Sequence, residues 1–575
     1  MEEAMAILRD ASPWSLLAGA AAMAALWWAV KMLEWVWWGP RRIERALRAQ
    51  GLGGTHYRFL RGDIREEQRL MRAALSKPVP MDRPHDIVPR VSPLLHRVTA
   101  EHGKVSFTWF GPYPRITISD PELVRQVLAN KFGHFDKTKL ARLARVFIGG
   151  LAVLDGEEWA KHRRIMNPAF HAEKLKRMLP AFSASCSELI DRWDNSVTVS
   201  VGAIELDVWS EFQNLSGDVI SRAAFGVTNE EGRRIFQLQA EQAERLVQSF
   251  RTNYIPGFSY DPHFPYYLVP NKQISIYVDS CVPECFLNEI SVSISETNQR
   301  IFSLFSLLPT ENNRKMKAIN TEVKGILRGI IEKRQKYMKN GGTDKDDLLG
   351  LLLESNMDYK DANGKTSKGM TVEDVIDECK LFYFAGMETT AVLLTWTVVL
   401  LSMHPEWQDR AREEVLQVFG KNKPDLNGLS RLKVVMMVFN EVLRLYPPVM
   451  LINRRTYKKI ELGGVTYPPN VMLALQLMFV HRDPGIWGDD AGEFNPGRFA
   501  DGISKASRDP GAFFAFSSGP RNCIGQNFAL LEAKVAVSMI LQRFSFELSP
   551  AYVHAPYAVL TLHPQHGVPV RLHRL

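Results

Sequence analysis

The chain has 575 residues, of which 46% are hydrophobic and 23% are charged. This is the balance of a globular protein with a large core, and it argues against fibrous and disordered classes. The formal net charge is +8, but the Lys and Arg residues are scattered rather than grouped in stripes, which argues against a nucleic-acid-binding protein. Five widely spaced cysteines argue against a disulfide framework and favour a reducing compartment.

The first predicted element is an apolar helix near the amino end. Residues 14–30, WSLLAGAAAMAALWWAV, carry no charge and approach the length needed to cross a bilayer. The tryptophans within 35–38 suit a bilayer interface, and the arginines within 41–48 predict that the rest of the chain faces the cytoplasm. We therefore expect a membrane anchor over 1–40. A cleaved signal peptide is the alternative, disfavoured because the preceding residues are acidic and tryptophan stands where small cleavage-site residues belong.

A basic and proline-rich connector over 41–100 is predicted next, leading into the catalytic domain. The prolines of SKPVPMDRPHDIVPR fix φ and predict a semi-rigid spacer rather than a helix. Residues 103–119 contain β-rich runs on both sides of a Gly-Pro turn, which predicts a hairpin.

The catalytic domain is predicted over 101–575 as one large unit, because no internal repeat or low-complexity linker divides it. Helical patterns dominate it, and strand signals return in KKIELGGVTYPPNVMLAL. The fold class is therefore mainly α with small β-sheets (α+β). The predicted helices are at 156–165, 171–193, 229–250, 312–338, 372–402, 406–418 and 430–445.

The stretch FAFSSGPRNCIGQ places Cys523 on a loop just before a predicted long helix. There the backbone N–H groups and the helix dipole would stabilise a thiolate, and the glycines would let the main chain lie flat against a planar group. A haem suits this description, and a thiolate axial ligand would favour O–O bond cleavage. A lone cysteine is more often an inert buried apolar residue, and it is the surrounding pattern that outweighs this alternative.

This stretch resembles the haem-binding loop of cytochrome P450 monooxygenases, Phe-x-x-Gly-x-Arg-x-Cys-x-Gly. The matching residues are Phe516, Gly519, Arg521, Cys523 and Gly525. The resemblance implies a cytochrome P450 fold preceded by one transmembrane helix, with haem b (iron protoporphyrin IX) as the cofactor. It also implies that Cys523 is the axial ligand of the iron and that Arg521 pairs with a haem propionate.

A second motif is AGMET, within an apolar stretch that is typical of a helix buried on nearly all sides. A transmembrane helix is the alternative, but the acid and hydroxyl groups at its centre would be costly in lipid. Gly386 would leave space for dioxygen, while Thr389 and Glu388 would relay protons through water. The motif resembles the Ala/Gly-Gly-x-Asp/Glu-Thr pattern of the P450 family, which implies catalytic roles for Thr389 and Glu388.

Two further patterns gain meaning from the resemblance. Glu441 and Arg444 lie on one helix face, and alone they would be read as a weak, solvated surface pair. The resemblance implies that they form a buried structural network with Arg498 that holds the haem loop. Trp159 and Arg163, one helical turn apart, would by themselves be surface residues. The resemblance implies that they donate to a haem propionate.

The sequence INRRT offers another propionate contact, for which Arg454 and Arg455 are both candidates and Arg455 is preferred. One departure from the family pattern lies beside the haem loop. Ser517 and Ser518 stand where Gly and Trp are common.

A larger departure is an insertion at about 261–307, whose composition differs from that of its flanks and which related plant sequences would lack. We hypothesise that it is a translated intron or an altered splice product. The alternative is a genuine long loop, although structureless loops of this length are uncommon. By family position it lies between two helices that roof the substrate pocket. Cys281 and Cys285 within it lack a second pair of ligands, so no zinc site is expected.

The resemblance covers nearly the whole chain, and phrases such as FALLEAKVAVSMILQRF are similar to the plant clan that includes secologanin synthase. It implies a microsomal monooxygenase that hydroxylates a lipophilic, terpenoid-derived or hormone-like small molecule. Electrons would come from NADPH through NADPH-cytochrome P450 reductase. The protein would be a single-pass protein of the endoplasmic reticulum membrane with its catalytic domain in the cytoplasm. Two alternatives stay open: a haem-thiolate isomerase or dehydratase, and a non-catalytic splice product with a disrupted pocket roof.

Overall fold

The structure is a computed structural model that describes residues 13–130, 133–137, 147–199, 203–226, 229–252, 311–340, 347–357 and 369–575. The insertion predicted at 261–307, with Cys281 and Cys285, lies outside these residues.

Helices form most of the described part of the chain, and a π-helical turn over Glu34–Trp38 joins the first two. The α-helices are α1 (Pro13–Leu33), α2 (Gly39–Ala49), α3 (Ile64–Leu75), α4 (Val88–Val91), α5 (Pro93–His102), α6 (Pro121–Ala129), α7 (Gly156–Met166), α8 (Ala172–Val199), α9 (Val208–Phe225), α10 (Asn229–Thr252), α11 (Glu311–Lys339), α12 (Leu348–Met357), α13 (Val372–Met403), α14 (Pro405–Phe419), α15 (Leu426–Arg431), α16 (Val434–Leu445), α17 (Leu477–Val480), α18 (Pro484–Trp487) and α19 (Gln526–Leu541).

The strands form small sheets. They are β1 (Val105–Phe110), β2 (Tyr113–Ile118), β3 (Phe135–Asp136), β4 (Ala203–Asp207), β5 (Ile452–Thr456), β6 (Ile460–Leu462), β7 (Val465–Tyr467), β8 (Met472–Leu475), β9 (Phe544–Leu548), β10 (Pro556–Ala558), β11 (Leu562–Pro564) and β12 (Pro569–Arg574). The largest sheet has the order β1-β2-β8-β5-β3, in which only the β2–β8 pair is parallel. A second sheet has the order β4-β12-β9, and β6–β7 and β10–β11 are two-stranded.

The predicted fold class, mainly α with small sheets, is confirmed. The hairpin expected at 103–119 is present as β1 and β2, which pair antiparallel from Val105 opposite Ile118 to Phe110 opposite Tyr113. The predicted helices match α7, α8, α10, α11, α13 and α14 closely. The helix predicted to begin at 430 begins at Val434, because α15 ends at Arg431 and Leu432 is extended. Several helices were not predicted, among them α2, α3, α5, α6, α9, α12 and α15.

Helix α13 crosses the main hydrophobic core and determines how the site is built. A capping box between Thr371 and Asp374 begins the helix by satisfying backbone donors that would otherwise be unpaired. Most of its residues between Val375 and Leu401 are buried, chiefly against α9 and other helices. This helix is apolar enough to cross a membrane, but its apolar window is 72% buried inside the protein. It is therefore a core helix.

The other apolar helix has the opposite environment. The segment Leu17–Ala49 is long and apolar enough to cross a membrane, and its apolar window is exposed throughout. Trp14, Leu26 and Trp27 are among its exposed large side chains or lie beside it. Such a surface is stable in lipid and costly in water. The amino-terminal helix is thus consistent with a single membrane anchor.

The proline-rich connector differs from the spacer that was predicted. The backbone N–H of Val79 donates to the carbonyl of His554 at 2.8 Å, and Val79 and His85 are both buried. The ring of His85 contacts the hydroxyl of Tyr446, the residue at which α16 ends. No helix forms from Pro78 to Ile87, but Pro89 lies in the first turn of α4. The segment is packed against the catalytic body rather than held apart from it.

Candidate active site around Cys523

A tight loop brings Cys523 to the start of α19. The N–H of Cys523 donates to the carbonyl of Phe516 at 2.9 Å, which closes the loop, and the N–H of Asn522 donates to the carbonyl of Gly519. Gly519 has φ +70°, and a Cβ there would lie 2.5 Å from the carbonyl oxygen of Leu128. This position therefore requires glycine on two grounds, a left-handed backbone and a close approach to α6.

The thiol of Cys523 is accessible to solvent, although the protein surrounds it closely enough to change its acidity. Desolvation raises the pKa of Cys523, while the N–H groups of Gly525 and Gln526 and the charge of Arg163 lower it, and burial outweighs them. The sequence argument therefore had the sign of the helix-start effect right but not the net result. A bound metal deprotonates a coordinating thiol outright, so the accessible sulfur is suited to be a ligand.

Gly525 has no structural reason in the protein itself to be glycine. Its φ is −89°, which any residue adopts, and a Cβ there would meet only the ring of Phe170, at 3.9 Å. Its missing side chain leaves open space beside the sulfur. This is what a planar group lying against the loop would need.

Several basic side chains lie near the loop that carries Cys523. Arg521 donates to the carbonyl of Leu154 at 2.9 Å and to the carboxylate of Asp155 at 2.5 Å, and its guanidinium lies 4.6 Å from the ring centre of Trp159. Burial and then the charges of Arg521 and Arg454 lower the pKa of Lys137 to about 7. Burial and the charge of Arg521 lower the pKa of Arg454 to about 10.

These shifts show that Lys137, Arg454 and Arg521 repel one another in a poorly hydrated space. Asp155 and Asp136 offset part of the positive charge. An anionic group placed among the three cations would relieve the repulsion. An accessible thiol, an open glycine and this cluster together fit a planar, iron-containing, dianionic cofactor such as haem.

Of the two arginines of β5, Arg454 is the one on which the charge of Arg521 acts, while Arg455 contacts the cluster at Asp136. Successive side chains of a strand point to opposite faces, so only one of the two arginines of β5 can face the site. The guanidinium of Arg455 donates to Oδ1 of Asn470 at 3.3 Å and lies 3.9 Å from the carboxylate of Asp136. The geometry therefore favours Arg454, and the preference for Arg455 stays a prediction.

Arg163 is placed at the loop itself. Its guanidinium donates to the carbonyl of Asn522 at 2.7 Å and to the side-chain oxygen of Asn522 at 3.0 Å. Its charge also acts on the neighbouring Cys523. Trp159, one turn earlier on α7, lies against Arg521, so the two residues expected to act together do contact the same loop.

The predicted network of Glu441, Arg444 and Arg498 is present and buried. Arg444 donates to both carboxylate oxygens of Glu441, at 2.7 and 2.8 Å, and Arg498 donates to Glu441 at 3.1 Å. Arg444 also donates to three carbonyl groups, those of His481, Ala491 and Glu493. The pair therefore ties α16 to the segment that leads into the loop, unlike the surface pair that the motif alone would suggest.

The AGMET segment packs closely against α9 at Gly386. A Cβ on Gly386 would lie 2.6 Å from Cδ1 of Ile220 on α9. The close approach of α9 therefore requires glycine at this position, and the role of Gly386 in leaving space for dioxygen stays a prediction. The hydroxyl of Thr389 donates to the carbonyl of Ala385 at 2.7 Å.

Glu388 is buried and points to the carboxy-terminal hairpin. It accepts a hydrogen bond from the hydroxyl of Thr561 at 2.8 Å and contacts Nε2 of His563. Burial would raise the pKa of Glu388, but the charge and hydrogen bonds of these partners hold it below its ordinary value.

Sequence reasoning missed several residues of the site. Lys137 and Asp155 carry no motif, and only the fold brings them to Arg521. Thr561 and His563 gave one signal that could have been used. They lie two residues apart, and residues so spaced share a face of an extended strand.

Comparisons with known proteins agree with this geometry. The sequence model of the family "Cytochrome P450" matches residues 92–556. The chain is similar to Cytochrome P450 CYP72A616 of Paris polyphylla, at 54% identity over 566 residues that cover 98% of this chain and 100% of that protein. It is similar to Cytochrome P450 72A15 of Arabidopsis thaliana, at 47% identity with 96% of each chain covered.

A third relative has an activity in its name. Echinocystic acid 23-monooxygenase of Saponaria officinalis is 46% identical over 561 residues, which cover 96% of this chain and 98% of that protein. The family implies a haem cofactor, a redox partner and a lipophilic substrate. These similarities agree with the loop that carries Cys523 and with the buried network of Glu441, Arg444 and Arg498. The chain belongs to the cytochrome P450 family and is a cytochrome P450 monooxygenase.

Proposed function

We propose that the protein hydroxylates a terpenoid-derived lipophilic molecule of the triterpenoid class, with O2 and electrons from NADPH. The support for the substrate class is the relative named echinocystic acid 23-monooxygenase, to which 96% of this chain aligns. The observation that carries the chemistry is the accessible thiol of Cys523 beside three mutually repelling cations.

In this proposal the cofactor is haem b, held by residues of three segments. Cys523 ligates the iron, with Phe516, Gly519 and Gly525 shaping the loop around it. The propionates pair with Arg521, Arg454, Trp159 and Arg163. When bound, the haem supplies an iron centre whose thiolate ligand favours O–O bond cleavage.

The chain's own residues keep the sulfur in place and move protons. Glu441, Arg444 and Arg498 fix the segment before the loop, since each charge in the network is matched by a buried partner. Thr389 and Glu388 supply the hydroxyl and the carboxylate that hold and pass protons on the opposite side of the site.

The redox partner in this proposal is NADPH-cytochrome P450 reductase. Its support is the exposed basic residues on two helices, including Arg164 on α7 and Lys176 on α8. Cationic surfaces of this kind steer an acidic partner into contact. The exposed α1 and the arginines of α2 support a single-pass anchor in the endoplasmic reticulum membrane with the catalytic domain in the cytoplasm.

The test uses the full chain expressed in microsomes. The reduced, CO-bound difference spectrum should show a haem thiolate in the wild type and lose that signature in Cys523→Ser. Replacement of the buried Cys186 by alanine is the matched control and should keep the spectrum. An unchanged spectrum in Cys523→Ser would contradict the ligand assignment.

The substrate class is tested separately, with reductase, NADPH and a panel of triterpenoid acids and sterols. We expect a hydroxylated product from the triterpenoids and no product without reductase. Conversion that needs neither reductase nor O2 would instead favour an isomerase or dehydratase. A haem-thiolate spectrum without turnover of any compound in the panel would refute the proposed substrate class.

A further inference from the structure

The carboxylate of Glu388 is joined to the carboxy-terminal hairpin by two side chains. Thr561 donates to Oε1 of Glu388 at 2.8 Å, and Nε2 of His563 contacts the same oxygen. Nε2 of His563 and the hydroxyl of Thr561 are themselves 2.7 Å apart. The three groups therefore form a closed cluster between α13 and the hairpin β10–β11.

The cluster is shielded and its imidazole is fixed. The side chains of Glu388 and His563 are 7% and 13% exposed. The ring of His563 lies 4.8 Å from that of Trp209 on α9 and 5.9 Å, edge to face, from that of Tyr557. An imidazole held between two aromatic rings keeps one orientation toward the carboxylate.

The hairpin is also attached to α13 at a second residue, Trp396, which follows Glu388 on the same helix. The indole N–H of Trp396 donates to the carbonyl of Leu562 at 2.8 Å. At the turn, the N–H of Val559 donates to the carbonyl of Thr561. The residue directly before His563 is thus bonded to α13, which keeps the strand that carries the imidazole close to Glu388.

A buried carboxylate in this position needs a partner. Without one, desolvation would favour the protonated form, and the acid could not keep a defined charge beside Thr389. With His563 present, the pKa of Glu388 lies below its ordinary value. The partner therefore decides the charge of the only acid in the AGMET motif.

We propose that His563 is a positioning residue for the reaction: it holds Glu388 ionised and oriented toward the hairpin, and thereby controls proton supply at Thr389. The inference rests on the proton-relay role proposed above for Glu388 and Thr389. In a productive turnover, O2 takes up two electrons and two protons, and one oxygen atom enters the product while the other leaves as water. Mistimed protons instead give hydrogen peroxide from the same electrons and protons, so the ratio of peroxide to NADPH consumed reports the role.

The experiment compares His563→Leu, His563→Gln and Glu388→Gln in full-length enzyme with reductase. We expect His563→Leu to raise the peroxide ratio severalfold, because a buried carboxylate that has lost its partner takes up a proton. The reduced, CO-bound spectrum and the affinity measured by the substrate-induced spectral shift should stay unchanged. His563→Gln, which keeps a donor, should restore part of the coupling. His573→Gln is the control, because His573 lies 3.6 Å from Glu547 in an exposed pair.

A second readout needs no turnover. His563→Leu strands a buried carboxylate, so it should lower the thermal midpoint more than the double variant His563→Leu, Glu388→Gln does. Additive effects of the two substitutions would overturn the proposed pairing. If Thr389→Val and Glu388→Gln raise the peroxide ratio but His563→Leu does not, the inference fails and the relay stands. If Thr389→Val and Glu388→Gln leave the ratio unchanged, the relay itself is wrong.

Discussion

Replacing Glu441 with glutamine tests the central structural claim, that the Glu-Arg network holds the haem loop. Glu441 and Arg444 are fully buried. Four donors meet the carboxylate: Nε and Nη2 of Arg444, Nε of Arg498 and the backbone N–H of Asn495. The amide keeps the size of the side chain but removes its charge and replaces one accepting oxygen with a donor.

The expected cost follows from that geometry. Breaking a buried ion pair from one side leaves an uncompensated charge and costs about 3–5 kcal/mol. Because the net stability of a folded protein is roughly 5–15 kcal/mol, Glu441→Gln should lose a large part of the free energy of unfolding. The loop that carries Cys523 should lose its support at the same time.

The assay is urea unfolding followed by tryptophan fluorescence, together with the haem-thiolate spectrum per mole of protein. The midpoint should fall with little change in slope, which reports lost stability rather than altered compactness. Glu122→Gln is the matched control, because Glu122 pairs with Arg125 at the same spacing of three residues but on the surface. Equal midpoints for Glu441→Gln and Glu122→Gln would refute the reasoning.

The remaining predictions concern the cation cluster, the loop and acid stability. Arg454→Ala should yield more haem-free protein than Arg455→Ala, measured as haem absorbance per protein, and the reverse order would contradict the assignment of Arg454. Ser517 has φ +64°, so Ser517→Gly should raise the free energy of unfolding by about 0.5–1 kcal/mol through relief of left-handed strain, and a lower urea midpoint would count against this. Burial lowers the pKa of His85 to about 3, and nearby histidine and cationic groups act in the same direction. Burial also lowers the pKa of His554 to about 4, although a backbone hydrogen bond opposes this shift. Below the ordinary histidine pKa of about 6.5, the unfolded chain therefore binds more protons at these residues than the folded chain does. At about pH 5, each of the two histidines should lower the free energy of unfolding by about 2 kcal/mol. Equal urea midpoints at about pH 7 and about pH 5 would exclude this loss of stability.

Much of the fold could be predicted because its signals are local. The apolar periodicity of α8 and α13, the Gly-Pro turn between β1 and β2 and the long apolar run near the amino end are properties of neighbouring residues. Helices α3, α9 and α12 escaped prediction because their burial pattern depends on which elements pack against them. Helix α9, for example, is buried on most sides, so its sequence shows no clear polar face.

The haem loop was readable because glycine, arginine and cysteine at fixed spacing have few other uses. By sequence alone, however, Glu441 and Arg444 could not be told from a surface pair. The choice between Arg454 and Arg455 could not be made either, because neighbouring residues of a strand differ only in the face they occupy. Only the pairing of β5 with β3 and β8 decides which one faces Arg521.

The sequence by itself determined the class of the protein and singled out Cys523 as the candidate ligand, since both depend on residues close together in the chain. Tertiary structure alone decided that Gly386 lies against Ile220 of α9, and that Glu388 is paired with His563, 175 residues away. The physical reason is the same in both cases. The space around a side chain and the charge beside it are set by segments far away in sequence, which only the packed fold brings together.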